Sequence, residues 1–446
     1  ILRINSLNLH MLPLLIGWGD HMKILMVSWE YPPQVVGGLA RHVQELSEAL
    51  VARGHTVHVL TGPYSEEPTY SVVGGVHVHR ARLGYPDPRG FFVSVLNLNF
   101  GFLEQAVALA LQENFDIIHC HDWLGAYAAR VLKHALNLPL IATIHATEYG
   151  RNNGLHNDLQ RQISDSEWWL TYESWKVICC SKYMAQELAS FFQLPPDKIQ
   201  ILPNGVDPQR FLVPEGEDLR FFRRRYAADH QKLVFFVGRI VREKGAQDLL
   251  AAIPKIKAYY RDVRFVLAGR GPLLDELRHL AHNLQLDDLV SFTGYVDEST
   301  LNKLYAVADI AVYPSLYEPF GIVALEAMAT GTPVVVTDVG GLGEIVVHGV
   351  NGLKAYTGNS NSLADNLLTL LHKPDLAREL AQEALRDVHS VYNWSKIAQQ
   401  TEDVYRRVIA EVQEKATPII QPACKLQETV VPSRYAANFS GGGLSR

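Results

Sequence analysis

The stretch Leu233-Val-Phe-Phe-Val-Gly-Arg-Ile-Val-Arg-Glu-Lys-Gly245 decides how the second half of this chain folds. Its first five residues are apolar and predict a buried strand, and a helical pattern follows the stretch. Arg239 and Lys244 therefore stand at the end of a strand, where a forked donor and a point charge can neutralise a diphosphate. Most arginines and lysines are ordinary surface charges, but this position between a strand and a helix favours phosphate binding.

A second stretch, Glu318-Pro-Phe-Gly-Ile-Val-Ala-Leu-Glu326, follows another apolar run. In a helix that begins at Phe320, Glu326 lies almost two turns in, while Glu318 stays on the preceding loop. One carboxylate can then hold ribose hydroxyls and the other sugar hydroxyls, and the helix N-terminus between them faces the phosphates. The two stretches together predict a pocket for a nucleotide diphosphate that carries a sugar.

Apolar runs and helical patterns alternate along the chain from Met22 onward. Strands predicted at residues 24–27 and 56–60 flank a helix, which makes one βαβ unit with a long first loop. Further strands are predicted at residues 117–120, 140–144, 177–180 and 199–202, and, after Asn204-Gly205, at 233–237, 263–268, 290–292, 310–313 and 334–337. This rhythm predicts an α/β fold of two doubly wound halves with a cleft between them.

The pair of glutamates separated by seven residues resembles the hallmark of the retaining glycosyltransferases of the glycogen-synthase and sucrose-synthase type, family 4. Other blocks resemble this family in the same order along the chain: Trp29-Glu-Tyr-Pro-Pro33, Gly37-Gly-Leu39, His121-Asp-Trp123, Thr143-Ile-His145, Pro203-Asn-Gly-Val-Asp207, Tyr313-Pro-Ser315, Ala329-Thr-Gly-Thr-Pro-Val-Val335 and Gly340-Gly-(x2)-Glu344. The resemblance implies the GT-B architecture, in which two Rossmann-like domains face each other across a cleft and a C-terminal helix crosses back.

The resemblance divides the chain into an acceptor domain at residues 22–205, a nucleotide-sugar domain at 206–393 and a crossing helix at 394–416. Residues 1–21 begin with isoleucine rather than methionine, and we expect them to be an N-terminal extension. Residues 417–446 are rich in Pro, Ser and Gly, which predicts a flexible tail.

On the family pattern, Glu318 holds the sugar hydroxyls, Glu326 holds the ribose, and Tyr295 with Val296 lines the base. Gly37 and Gly38 could merely ease a turn, but their place before a helix favours close approach to a phosphate. Val35 stands where the family often has a lysine, which leaves the nucleotide preference open. The full predicted donor site is Gly37, Gly38, Arg239, Lys244, Tyr295, Val296, Glu318, Phe320, Gly321, Ile322 and Glu326.

His145 follows a predicted strand, where a lone histidine is more often structural than catalytic. The resemblance instead places it beside the sugar undergoing transfer, so the predicted catalytic residues are His145, Glu318, Arg239 and Lys244. Ala146 replaces the asparagine common in bacterial glycogen synthases.

His121, Asp122 and Trp123 are implied on the acceptor side, although a strand end with a packed indole explains them too. A metal site built from His119, His121 and Asp122 is an alternative, but no fourth ligand is evident in the sequence.

The sequence contains no Asp-x-Asp motif of the kind that holds a metal on the diphosphate in transferases of the other major fold. Arg239, Lys244 and helix N-termini can replace the charge of a metal. We therefore predict metal-independent transfer with no cofactor beyond the nucleotide-sugar co-substrate, and the resemblance implies retention of configuration.

The blocks around Trp29 and Gly37 look closest to glucan synthases that use ADP-glucose or UDP-glucose, which favours an α-glucan acceptor. Trp168, Trp169 and Trp175 are either stacking surfaces for sugar rings or core residues. A lipid-linked or small-molecule acceptor stays open within the same fold. A sugar-nucleotide epimerase and a non-catalytic glycan-binding protein are alternatives of another class, and the intact set Arg239, Lys244, Glu318 and Glu326 argues against the latter.

The composition of the chain argues against some classes of partner and favours one cellular compartment. The chain has 446 residues, 48% of them hydrophobic, and a formal net charge of −6, which argues against nucleic-acid binding. Four irregularly spaced cysteines fit a reducing cytoplasm better than a disulfide framework. No apolar run reaches the roughly 18 residues of a membrane span, so no stable span is predicted, while peripheral membrane association stays open.

Overall fold

The computed structural model describes residues 21–64, 66–82, 87–88, 90–214 and 216–416. The predicted N-terminal extension lies outside these residues apart from His21, and the predicted tail lies wholly outside them.

The first half of the chain forms an eight-stranded sheet in the order β3-β4-β2-β1-β5-β6-β7-β8. All its neighbouring strands run parallel except β3 and β4. The central strands are continuous apolar runs that are buried on both faces, as parallel sheets require. The strands are β1 (Lys23–Ser28), β2 (Thr56–Thr61), β3 (Tyr70–Val73), β4 (Val76–Arg80), β5 (Ile117–His121), β6 (Leu140–Ile144), β7 (Lys176–Cys179) and β8 (Ile199–Ile201).

Six helices follow the strands of this sheet: α1 (Gly38–Ala52), α2 (Phe91–Ala110), α3 (Ala126–Leu136), α4 (Glu148–Asn152), α5 (Asp158–Glu173) and α6 (Lys182–Phe191). By length and composition α2 could cross a membrane, because its 18-residue window has a mean hydropathy of 1.4. It nevertheless packs one face, including Leu98 and Phe102, into the core beside the sheet.

The second half forms a parallel six-stranded sheet in the order β11-β10-β9-β12-β13-β14. Its strands are β9 (Lys232–Val237), β10 (Val263–Ala268), β11 (Val290–Gly294), β12 (Ile310–Tyr313), β13 (Val334–Thr337) and β14 (Leu353–Ala355). Its helices are α7 (Leu219–Arg223), α8 (Ala246–Tyr259), α9 (Leu274–Asn283), α10 (Glu298–Val307), α11 (Ile322–Ala329), α12 (Gly340–Ile345), α13 (Ser360–His372) and α14 (Pro374–Ser390). The predicted α/β class with two doubly wound sheets is confirmed.

The last described helix, α15 (Trp394–Ala416), leaves the second domain and packs against α1 of the first. Its apolar residues Ile397, Tyr405 and Val408 join the core of the first sheet. The Tyr405 hydroxyl lies 2.6 Å from Nδ1 of His119, which is buried on β5. The crossing helix of the predicted fold class is therefore present.

Candidate active site

The loop between β9 and α8 brings Lys244 to Glu318. The Lys244 ammonium donates to Glu318 Oε2 at 2.6 Å, and the Ser315 hydroxyl donates to the same oxygen at 3.3 Å. Gly245 makes this approach possible, because it has φ +70° and a Cβ there would lie 1.8 Å from the Pro314 carbonyl oxygen. The cation and the carboxylate predicted from two separate stretches thus form one ion pair.

The helix that carries Glu326 begins at Ile322, so the predicted start at Phe320 is wrong by two residues. Gly321 has φ +108° and cannot lie inside a helix, which delays the first turn. A side chain at Gly321 would also meet Leu342 at 2.5 Å. Glu318 consequently stays on the loop, as predicted.

Two helix N-termini from different domains meet in the cleft. Helix α1 begins at Gly38 and α11 begins at Ile322, and a Cβ on Gly38 would lie 2.9 Å from Ile322 Cδ1. Buried Glu30 holds the loop before α1, because it accepts from the Val36 amide at 2.7 Å and the Ala40 amide at 3.3 Å. Burial raises the pKa of Glu30 to about 7. The positive ends of two helix dipoles therefore face the same space.

Glu326 is fully enclosed on α11. Its Oε2 accepts from the Tyr305 hydroxyl at 2.9 Å. Burial raises the pKa of Glu326, and the nearby Arg41 guanidinium opposes that shift. Its predicted contact with a ribose stays a prediction.

Arg239 and Tyr295 lie nearer the solvent. Arg239 pairs with Glu243 at 3.2 Å and is about half exposed, without a contact to Glu318 in the described structure. The Arg270 guanidinium lies 5.4 Å from the centre of the exposed Tyr295 ring. Both predicted donor contacts are thus accessible to a ligand. Val296 is half-buried, whereas Phe320 is buried in the core.

Three histidines cluster where β5, β6 and α1 meet. Nδ1 of His121 lies 3.3 Å from Nε2 of His145, and the His42 ring stands edge-on to His145 at 4.6 Å. The crowded, poorly hydrated site lowers the pKa of His145 to about 3 and the pKa values of His42 and His121 well below their usual range. All three rings are therefore neutral near pH 7 and act as hydrogen-bonding groups rather than as acids.

Asp122 positions His145. Its Oδ1 accepts from the His145 amide at 2.8 Å, and its own backbone has φ +56°. Burial raises the pKa of Asp122 to about 6, while Arg151 opposes the rise. The strained backbone and the buried carboxylate are typical of functional positions, and the predicted place of Asp122 on the acceptor side stays a prediction.

Trp123 does not line the open cleft, because it is 5% exposed and packs with Val95 and Ile163. Of the two interpretations of Trp123, the structure therefore agrees with a packed indole at the end of a strand. Trp168 is exposed and Trp169 is half-buried, whereas the half-buried Trp175 packs against the core of the first sheet. The Trp175 indole donates to Glu411 at 2.6 Å and lies under α15.

Nitrogens of His42, His121 and His145 lie within 4.8 Å of one another and could hold a metal ion. The alternative set of His119, His121 and Asp122 fits less well. Both His119 nitrogens are engaged, one with Tyr405 at 2.6 Å and the other with Thr143 at 2.7 Å. Metal-independent chemistry stays a prediction.

The two domains touch on the far side of the site. The Glu344 carboxylate accepts from the Lys182 and Tyr183 amides at 2.9 and 2.8 Å, at the N-terminus of α6. The Ser181 hydroxyl donates to the Pro319 carbonyl at 2.7 Å. These contacts hold the loop of Glu318 against the first domain.

Sequence reasoning missed His42 and the roles of Glu30 and Arg41. His42 lies one helical turn after Gly38 and so points to the same side of α1, a signal that the glycine pair already offered. Its Nδ1 lies 2.6 Å from Asn204 Oδ1. Arg41 gave no sequence signal, because its proximity to Glu326 arises only when the two domains face each other.

Two family models match the chain. The model described as Glycosyltransferase Family 4 matches residues 36–210, and the model described as Glycosyl transferases group 1 matches residues 219–387. Each model falls on one of the two sheets.

Similar proteins cover almost the whole described chain. A glycosyltransferase of Methanocaldococcus jannaschii is 41% identical over 387 residues, which span 86% of this chain and 98% of that protein. Glycogen synthase of Mycobacterium tuberculosis is 36% identical over 431 residues, spanning 93% of this chain and 100% of that protein. The structure of sucrose-phosphate synthase from Thermosynechococcus elongatus is similar with a TM-score of 0.76 at 26% identity, covering 87% of this chain and 100% of that one.

Proposed function

Because the chain belongs to glycosyltransferase family 4 and has the GT-B fold, we propose that it transfers glucose from ADP-glucose or UDP-glucose to an α-glucan. The proposal includes retention of configuration and transfer without a metal ion. The 36% identity with a glycogen synthase over 93% of this chain supports the glucan acceptor. A cytoplasmic location stays a prediction from cysteine usage.

One observation carries the donor part of the proposal: the N-termini of α1 and α11 meet beside the Lys244–Glu318 ion pair. A diphosphate placed there would receive backbone N–H groups from both domains and the Lys244 ammonium. Arg239 would leave Glu243 to reach the second phosphate. These charges are fixed before the reaction, so they favour the state in which the leaving diphosphate has gained negative charge.

Glu318 and His145 then act on the sugar. Once the phosphate draws Lys244 away, the Glu318 carboxylate is free to accept from sugar hydroxyls. The His145 ring is neutral, since its pKa is about 3, and it positions the sugar by a hydrogen bond. As the bond from the anomeric carbon to the phosphate oxygen breaks, the acceptor hydroxyl attacks from the same face. Its proton passes to the departing phosphate oxygen.

The test is release of nucleoside diphosphate from ADP-glucose and UDP-glucose, each with and without maltooligosaccharide, in the presence of EDTA. We expect release that depends on the acceptor. Lys244→Ala should lower kcat/KM by roughly 100-fold or more, as removal of one fixed charge-stabilising donor does elsewhere. Lys255→Ala is the matched control, because Lys255 pairs with Asp365 away from the site.

Four other outcomes would revise the proposal. Release only with a lipid-linked or small acceptor would replace the glucan, and a new sugar nucleotide without release would indicate an epimerase. Glucan binding without turnover of either donor would leave a binding protein. Activity that EDTA abolishes and Mn²⁺ restores would contradict metal independence and direct attention to the three clustered histidines.

A further inference from the structure

A second pocket lies in the first domain, where α2, α3 and α5 meet. Its volume is about 510 Å³, within the range of roughly 300–1,000 Å³ that is usual for small-molecule sites. Four aromatic side chains line it: Phe92, Tyr127, Trp168 and Trp169. None of these residues belongs to the predicted donor or catalytic set.

One aromatic ring of this pocket is exposed and the other three are half-buried. Trp168 is 44% exposed, and Tyr172 stacks on it at 5.4 Å with the ring planes 21° apart. The Arg130 guanidinium lies 4.9 Å from the centre of the Trp169 ring and also pairs with Glu173. Large apolar side chains that remain in solvent as a group mark a binding surface.

The polar side chains of the pocket favour a neutral ligand. Gln162, Asp165 and Ser166 complete its lining, and Asp165 is the one charged residue among the described lining residues. The lining itself contains a carboxylate and no cation, and the neighbouring Arg130 is paired with Glu173. This charge balance disfavours phosphates, nucleotides and anionic lipids. Amide, carboxylate and hydroxyl groups beside flat rings suit a ligand that has hydroxyl groups on its edges and C–H groups on its faces.

The pocket is linked to the acceptor side of the cleft. The Phe92 ring lies 6.0 Å from the Trp123 ring, and both pack on one buried cluster with Ile163 of α5. Trp123 directly follows Asp122, which holds the His145 amide. The pocket is therefore connected to the predicted transfer site through Phe92, Trp123 and the neighbouring Asp122.

We propose that this pocket binds a stretch of the glucan acceptor that is remote from the reacting end. The chain would stack on Trp168 and Trp169 and donate hydroxyl groups to Gln162 and Asp165. This inference rests on the proposed glucan acceptor, but it concerns binding and does not require transfer. It assigns a role to the two tryptophans that the donor site leaves unused.

Binding is tested without any donor by electrophoresis in native gels that contain increasing glycogen. We expect glycogen to retard the wild-type protein. Trp168→Ala should weaken the apparent affinity by about tenfold, which corresponds to roughly 1.4 kcal/mol. Trp168→Phe keeps a flat ring and should restore most of the binding. Tyr259→Ala removes a 69% exposed aromatic residue from the second domain and should match the wild type.

Transfer is measured separately with maltooligosaccharides of increasing length. The wild-type kcat/KM should rise with acceptor length, and in Trp168→Ala this rise should flatten while the melting temperature stays unchanged. The proposed site would be wrong, whatever the transfer result, if glycogen did not retard the wild-type protein. It would also be wrong if glycogen retarded Trp168→Ala as strongly as the wild type. Selective loss of retardation without transfer by the wild type would instead support the site and refute the proposed function.

Discussion

Gly245 shows how one residue places the key cation. It joins the loop after β9 to α8 with φ +70°, and its missing Cβ leaves room for the Pro314 carbonyl. We expect Gly245→Ala to destabilise the fold by about 1–3 kcal/mol from backbone strain alone, with a further loss from the clash. Donor affinity should fall as well, because Lys244 is the preceding residue.

The matched control is Gly331→Ala. Gly331 has φ +73°, almost the same angle, but nothing lies within 4 Å of an added Cβ. Urea denaturation should therefore give a smaller loss for this variant, and donor titration should give wild-type affinity. Equal losses in the two variants would show that the contact with Pro314 is unimportant.

Two buried carboxylates predict that the activity falls at acidic pH. Glu30 and Asp122 have pKa values raised by burial to about 7 and about 6. Their ionised forms hold the α1 loop and the His145 amide, so the rate should fall as the pH drops through this window. Below pH 6 the logarithm of kcat/KM should approach a slope of about two in the wild type.

The variants Asp122→Asn and Glu30→Gln separate the two carboxylates. Asp122→Asn keeps an acceptor oxygen for the His145 amide. In this variant the slope of log kcat/KM against pH should fall to about one, and the decrease in activity should still begin near pH 7. In Glu30→Gln the decrease in kcat/KM should instead begin near pH 6. A profile unchanged in both variants would exclude these groups as the cause.

At the scale of elements, most of the strands that the sequence predicts are continuous apolar runs in the interior, although the predicted β8 is only half-buried to exposed. β9, with Leu233 to Phe236 buried, is apolar throughout and has no competing pattern. The sequence prediction missed β3, β4 and β14. β3 alternates between exposed and half-buried residues at an edge, and β14 has only three residues. β4 is mostly buried, but two histidines and an arginine interrupt its apolar residues. The histidine cluster was equally invisible, since it depends on which strands become neighbours.

The edge of the first sheet predicts a loss of stability in acid. His58 on β2 stacks on His77 and His79 of β4 at 4.5 and 5.2 Å. Burial lowers the pKa values of His58 and His79 from 6.5 to about 4, with Lys23 also acting on His58 and Glu113 opposing the shift. The unfolded chain therefore binds more protons between these values, and stability should fall as the pH drops from about 6.5 to about 4.

The measurement is the urea midpoint at pH 7.5 and pH 5. His58→Gln should show a smaller decrease between the two pH values than the wild type does. His279→Gln, which replaces an exposed histidine on α9, should keep the full wild-type decrease. If His58→Gln kept it too, the stacked histidines would not be the source of the acid sensitivity.

At the scale of the whole molecule, two connections hold the domains in register. Helix α15 starts in the second domain, and Gly205 must lack a side chain because a Cβ there would lie 2.8 Å from the Trp394 ring. Across the cleft, Glu344 accepts from the first two amides of α6. Its carboxylate thereby caps this helix N-terminus, where a negative charge is favourable. The first connection is covalent and the second consists of hydrogen bonds, so we predict that Glu344 contributes to closure of the cleft.

Glu344→Ala should therefore shift the protein toward an open cleft. Because Glu344 is exposed, its two hydrogen bonds are screened and we expect a several-fold, not a complete, loss of kcat/KM. X-ray scattering should give a larger radius of gyration for the variant without ligand, and saturating donor should reduce the difference. Glu379→Ala removes another exposed glutamate, from α14, and should leave both readouts unchanged. A variant with wild-type scattering but reduced activity would mean that Glu344 acts on the substrate rather than on closure.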